Sequence, residues 1–202
     1  MDRENANRKG KRMKGMTPIT TKPGPVTWEG LKQELMELPK ETLAEMINLW
    51  LKTYWTLQSY WMVYTEQLFG FQNAAKMDEM VWAKLAPAQA GRVMKTLGLG
   101  NDMQSLATLL KFTAPQWVSA GFEWEFTEVG EKRLAMVIHQ CPMGTYRKAQ
   151  NLELLPCKQL SPPLYIALAK MINEKIETTC RHAHPDPPKE KVMCEWEFVL
   201  RG

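Results

Sequence analysis

Residues 40 to 69 constrain this chain most. Leu43, Ile47, Trp50, Tyr54, Leu57, Trp61, Tyr64 and Leu68 recur at alternating steps of four and three, and each is apolar or aromatic. The spacing predicts one long helix from about Lys40 to Phe69, closed by Gly70. Leu49, Tyr60 and Val63 form a second stripe, and Leu51, Trp55 and Met62 a third. A helix apolar on so much of its circumference must lie at the centre of its domain or share a face with another subunit. Trp50, Tyr54, Trp61 and Tyr64 also form a candidate pocket for a flat, apolar small molecule.

Shorter helices are predicted around this one. Thr27 caps a stretch to about Glu37 that carries Trp28, Leu31, Leu35 and Met36. A helix over 72–85 is stopped by Pro87, which opens another over 87–97, closed by Gly98. Asn101 caps a further helix to about Phe112, with Gln104 in the capping-box position. The period then changes. Val118, Ala120, Phe122, Trp124 and Phe126 alternate with Ser119, Glu123, Glu125 and Thr127, which is the pattern of a half-buried strand. Strands over 133–141, 175–184 and 193–200 complete a set of four, with helices over 142–150 and 161–173 between them. Glu-Trp-Glu-Phe stands at both 123–126 and 195–198, with its aromatic residues on one face and its glutamates on the other. The fold class that follows is α+β: an N-terminal helical half (27–114) packed on a C-terminal, four-stranded antiparallel sheet with two inserted helices (115–202), together one domain.

Charge is concentrated in the first 25 residues, where seven Lys/Arg stand against Asp2 and Glu4. The remainder, with 19 Lys/Arg and 20 Asp/Glu, is near neutral, which argues against a nucleic-acid groove in the body. Residues 1–26 read as a disordered basic arm, either a solubilising tail or an electrostatic tether to an acidic partner. No stretch is apolar enough for a membrane span, and no secretory signal pattern opens the chain. The expected location is cytoplasmic, where four cysteines are expected to be free, metal-bound or catalytic.

All four cysteines (Cys141, Cys157, Cys180, Cys194) and all three histidines (His139, His182, His184) fall within residues 139 to 194. Strand alternation places Cys180, His182 and His184 on one face, and His139 with Cys141 on another. Two readings of this constellation stand side by side. In the first, Cys141, Cys157, Cys180, Cys194, His182 and His184 supply ligands to a metal. Zn²⁺ suits mixed thiolate and imidazole, and iron or an iron–sulfur cluster ranks behind it. The spacing lacks a Cys-x-x-Cys knuckle, so such a site would have to form in three dimensions. In the second, Cys141 is a nucleophile whose pKa is lowered at a helix N-terminus, with His139 as base and Asp186 as its orienter. Cys157, beside Lys158, is a further candidate thiolate. Glu123, Glu125, Glu195 and Glu197 read as a solvated sheet face.

Cys141-Pro142, Pro156-Cys157-Lys158, Cys180, His184-Pro185-Asp186-Pro187 and the closing Cys194-Glu195-Trp196-Glu197-Phe198 resemble the layout of a family of bacterial cytosolic proteins, found largely in anaerobes, with no assigned activity. That layout is in turn similar to the L-2-amino-thiazoline-4-carboxylic acid hydrolase-like family, which opens a cyclic carbon–nitrogen bond. The resemblance implies a hydrolase acting on a small molecule. It would place a further cysteine just after Cys180, where this chain has Arg181-His182-Ala183-His184. The competing expectation is a non-enzymatic accessory subunit that holds a structural metal and grips a protein partner, or a second copy of itself, through the basic arm or the aromatic helix.

Overall fold

The computed structural model describes residues 24–202; the predicted basic arm, save residues 24–26, lies outside them. The chain divides into two units, up to Lys40 and from Glu41 onward. The first contains α1 (Trp28–Glu37). Thr27 caps it, its hydroxyl accepting from the Gly30 amide at 3.2 Å. Leu38, forced out of helical geometry by the proline after it, ends it.

In the second unit, α2 (Lys40–Phe69) runs into Gly70, which turns the chain at φ +83° into α3 (Phe71–Leu97). α3 passes straight through Pro87, where the sequence predicts a break. Ala86 and Ala90, on either side of the proline, are fully buried. These small residues let α3 pack closely against its neighbours, which offsets the lost backbone hydrogen bond. Gly98 adopts the left-handed conformation and returns its N–H to Met94, ending the helix. α4 (Met103–Thr113) is capped one residue later than predicted. Asp102 rather than Asn101 accepts from a first-turn amide, Ser105 N–H at 2.7 Å. Pro115 then opens one further turn, α5 (Pro115–Ser119), with proline at the favoured first position. The alternation at 118–126 therefore becomes strand only from Glu123, after Gly121 turns the chain at φ +97°.

β1 (Glu123–Val129), β2 (Arg133–Gln140), β3 (Ile176–His182) and β4 (Cys194–Leu200) form one sheet in the order β1-β2-β4-β3, antiparallel throughout. Between β2 and β3 lie α6 (Pro142–Ala149), the single turn α7 (Cys157–Leu160) and α8 (Pro162–Ile172). The α+β architecture predicted from the change of period is thus present. The inner sheet face, with Leu134, Met136, Ile138, Trp196 and Phe198, packs on Leu106 and Leu109 of α4 and on Tyr165 and Leu168 of α8. The outer face is charged. Glu197 is clamped by Arg133 (Nε to Oε1 2.8 Å) and by Arg181 (Nε to Oε2 2.9 Å).

The long helix departs from expectation. Only Thr42, Met62 and Thr65 of α2 are buried. Its inward side is the third stripe, Leu51, Trp55 and Met62, together with polar Asn48, Gln58 and Glu66. Ser119 donates to the Asn48 side chain at 2.5 Å, and Arg147 holds Glu66 with two bonds of 2.7 and 3.0 Å. Two polar anchors, one near each end, therefore set the rotation of α2. They turn the strongest apolar stripe away from the core.

Candidate thiol-lined cavity

Beneath the sheet's inner face is a cavity of about 160 Å³, walled by Cys141, Cys157, Cys194 and His184 together with Asp78, Tyr165 and Trp196. Local rules place each thiol. Cys141 is the N-cap of α6, and Pro142 fixes the first helical residue. A Cβ at Gly144 would lie 2.7 Å from the Met193 methyl carbon, so a side chain there would require the end of Met193 to move. Cys157 opens α7. Cys194 opens β4, opposite Ile138. Cys180 lies within β3, paired with Trp196. All four thiols are free and partly buried.

Burial dominates their chemistry. It pushes the Cys141 thiol up, although the Met143 and Gly144 amides at the start of α6 pull the other way. Cys157 is raised to about 12, first by burial and then by Cys141, against a hydrogen bond with Ser161. Cys194 is raised by burial and then by the other three thiols. Cys180 is raised by burial, with Lys158 opposing. The lowered pKa predicted for Cys141 and Cys157 from their sequence neighbours is therefore reversed. Lys158 lies next to Cys157 in the chain, but its ammonium holds Asp186 at 2.5 and 2.6 Å.

The histidines separate. His139 follows Ile138 on β2 and faces the outer side of the sheet, bonded to Glu125 at 3.0 Å and to the Lys191 carbonyl at 2.9 Å. These bonds, the Lys191 one first, raise its pKa. It does not share a face with Cys141, because β2 ends at Gln140 before Cys141 turns into α6. The predicted trio of Cys141, His139 and Asp186 is therefore not assembled. Asp186 instead braces its own loop, accepting from the Ala183 amide at 3.3 Å and lying 3.7 Å from buried His182. His184 is the imidazole on the cavity wall. Its Nδ1 lies 3.1 Å from the Leu155 carbonyl, which can only accept, so Nδ1 carries a proton and, in the neutral ring, Nε2 is the nitrogen with the lone pair.

Asp78 carries no sequence motif, yet it lines this cavity and is raised to about 6, by burial against a hydrogen bond from Trp82. A signal was present: Asp78 interrupts the stripe Ala74, Ala75, Trp82, Leu85 on α3. Three wall residues also have buried polar atoms without protein partners: Gln58 Oε1 and the indole nitrogens of Trp117 and Trp196.

The soft donors suit a metal chemically. Among the described residues, however, no group of three or more His, Cys, Asp or Glu side chains is arranged to hold an ion. Of the predicted aromatic pocket, Tyr54 and Trp61 line a separate groove of about 370 Å³ between α2 and α3, which shares Gln58, Asp78 and Trp82 with the thiol cavity. Trp50 and Tyr64 are exposed, and Tyr64 stacks on Tyr60 with centroids 5.9 Å apart. Among the described residues no helix is long and apolar enough to cross a membrane.

No curated protein and no solved structure matches the chain. Residues 36–200 match the family of unknown function DUF6125, and since that span is most of the chain, the protein belongs to this family.

Proposed function

We propose that the protein binds a small, ring-sized molecule in the thiol-lined cavity and hydrolyses a carbon–nitrogen bond in it. The observation that carries this reading is a single cavity lined by three thiols and the His184 imidazole. A volume of about 160 Å³ is close to that of a cavity which takes a single benzene ring. The resemblance to thiazoline-opening hydrolases supports the same bond type.

In this reading Cys141 is the nucleophile and His184 the base. Of the three cavity thiols, Cys141 is the one with backbone N–H donors aimed at its sulfur. Its proton passes to His184 Nε2 as sulfur bonds to the electrophilic carbon. The nitrogen takes that proton and leaves, and water then releases the acyl group from sulfur. Because burial keeps the thiols protonated at neutral pH, attack has to be coupled to proton transfer. The test is to incubate the protein with small cyclic amides and amidines, following ring opening and intact mass. Turnover that is lost in both Cys141→Ala and His184→Phe, but kept in His139→Ala, is the expected result. Turnover unaffected by Cys141→Ala overturns the assignment.

A second reading rests on the nearness of the thiols, with Cys141 and Cys180 raising Cys157 and all three raising Cys194. A cluster of that kind gains from a soft cation such as Zn²⁺, provided the side chains move together. In that form the protein is an accessory subunit with a structural metal. Elemental analysis separates the two: a stoichiometric metal released only on unfolding supports the accessory form.

A further inference from the structure

We infer that two copies of this chain pair through the outward stripe of α2. The stripe is a heptad seam. Its steps of four and three from Leu43 to Leu68 average 3.5 residues, the period of helices that wrap around one another. Within the 30-residue helix the seam from Leu43 to Leu68 runs for ~38 Å. Ile47, Trp50 and Leu57 are each about half exposed, and Trp61, Tyr64 and Leu68 are 67%, 56% and 73% exposed. None of the eight seam positions is charged. Beside the seam, Met77 and Val81 of α3 line the groove with Leu57 and Trp61, so the face offers both a ridge and a hollow.

The area suits a second copy. A whole aromatic side chain buries 150–250 Å², so the exposed parts of Trp50, Trp61 and Tyr64 supply roughly 300 Å². Ile47, Leu57, Leu68, Met77 and Val81 bring the face toward the ~800 Å² per partner of a stable interface. A seam with this regular spacing is complementary to another copy of itself, which an irregular apolar patch is not. Two α2–α3 hairpins meeting there make a four-helix arrangement whose core is the present surface. The inner face of α2, through Trp55 and Gln58, walls the thiol cavity. Pairing would therefore hold that wall from behind. The inference does not depend on the cavity's chemistry.

The test is sedimentation equilibrium of the full chain from 1 to 100 µM, with hydrogen exchange of α2. The expected mass is twice 23.3 kDa, with α2 amides protected more as concentration rises. Leu57→Glu with Leu68→Glu, both on exposed positions, should give a monomer of unchanged circular dichroism. Glu125→Lys on the outer sheet face should leave the dimer intact. A 23.3 kDa species at 100 µM, or a dimer that survives the double substitution, overturns it.

Discussion

Asp78→Asn should make the protein more stable at neutral pH. The Asp78 carboxyl is held at about 6 instead of 3.8, chiefly because burial disfavours its charge. Ionising it in the folded chain therefore costs about 3 kcal/mol more than in the unfolded chain. The sign follows from proton counting. Between those two values the folded chain binds more protons than the unfolded one, so stability falls as pH rises through that window, and the full penalty is present above it. Asparagine cannot ionise and keeps an oxygen for the Trp82 indole. Substitution should thus add about 2–3 kcal/mol at pH 7.5 and close to nothing at pH 4. With a urea slope of about 2 kcal/mol per molar, the midpoint should rise by roughly 1–1.5 M at pH 7.5 only. Tryptophan fluorescence reports the transition, since Trp82 and Trp117 pack edge to face at 5.0 Å beside the site. An equal gain at both pH values, or a loss at pH 7.5, refutes the reasoning. A gain in stability coupled to loss of turnover would mark Asp78 as a group retained for function at the expense of the fold.

Three further outcomes are expected. Cys157, with its thiol at about 12, should be alkylated by iodoacetamide at pH 8 on the order of a thousand times more slowly than a free cysteine, as peptide mapping would show; equal labelling would mean the site is open and wet. Arg147→Met should destabilise by about 3 kcal/mol, because it leaves Glu66 without its partner, and the double variant with Glu66→Gln should recover at least about 1 kcal/mol in urea titrations. Glu66 is held below its ordinary pKa by Arg147, so that pair's contribution is present above the ordinary carboxylate range and lost as pH falls through the lowered value; the single variant should show no such loss in acid.

The fold was legible wherever the signal was periodic. The change from helical spacing to alternation at residue 115, and the repeated Glu-Trp-Glu-Phe, give four strands and their inner face. Boundaries failed where a neighbour in space overruled a local cue. Pro87 should break a helix, but Ala86 and Ala90 are fully buried beside it and the helix continues. Of the three stripes on α2, the sequence marks the strongest as the core face. Asn48 and Glu66 decide otherwise, through Ser119 at a separation of 71 residues and Arg147 at 81. No window of the sequence holds both partners of either bond.

The site divides along the same line. Of the sulfur and imidazole groups confined to residues 139–194, Cys141, Cys157, Cys194 and His184 share a wall, while Cys180, His139 and His182 are not among its lining residues. Which groups would be ionised was not readable. A helix N-terminus and an adjacent lysine both argue for a thiolate, yet the first survives only as a minor effect on Cys141 and the second acts on Cys180 instead of Cys157. Lys158 is drawn to Asp186, and the amides of α6 cannot match the loss of water around Cys141. Charge state is set by what surrounds a group from every side, and Asp78, Tyr165 and Trp196 reach this cavity from three separate elements. The same logic bears on how the site would act. The cavity is lined by Asp78, Glu79 and Arg147 as well as by three protonated thiols, so selection rests on shape together with the charged groups at its wall. Ionisation of a thiol then has to follow binding, once the ligand offers its own hydrogen bonds to the sulfur that gives up a proton.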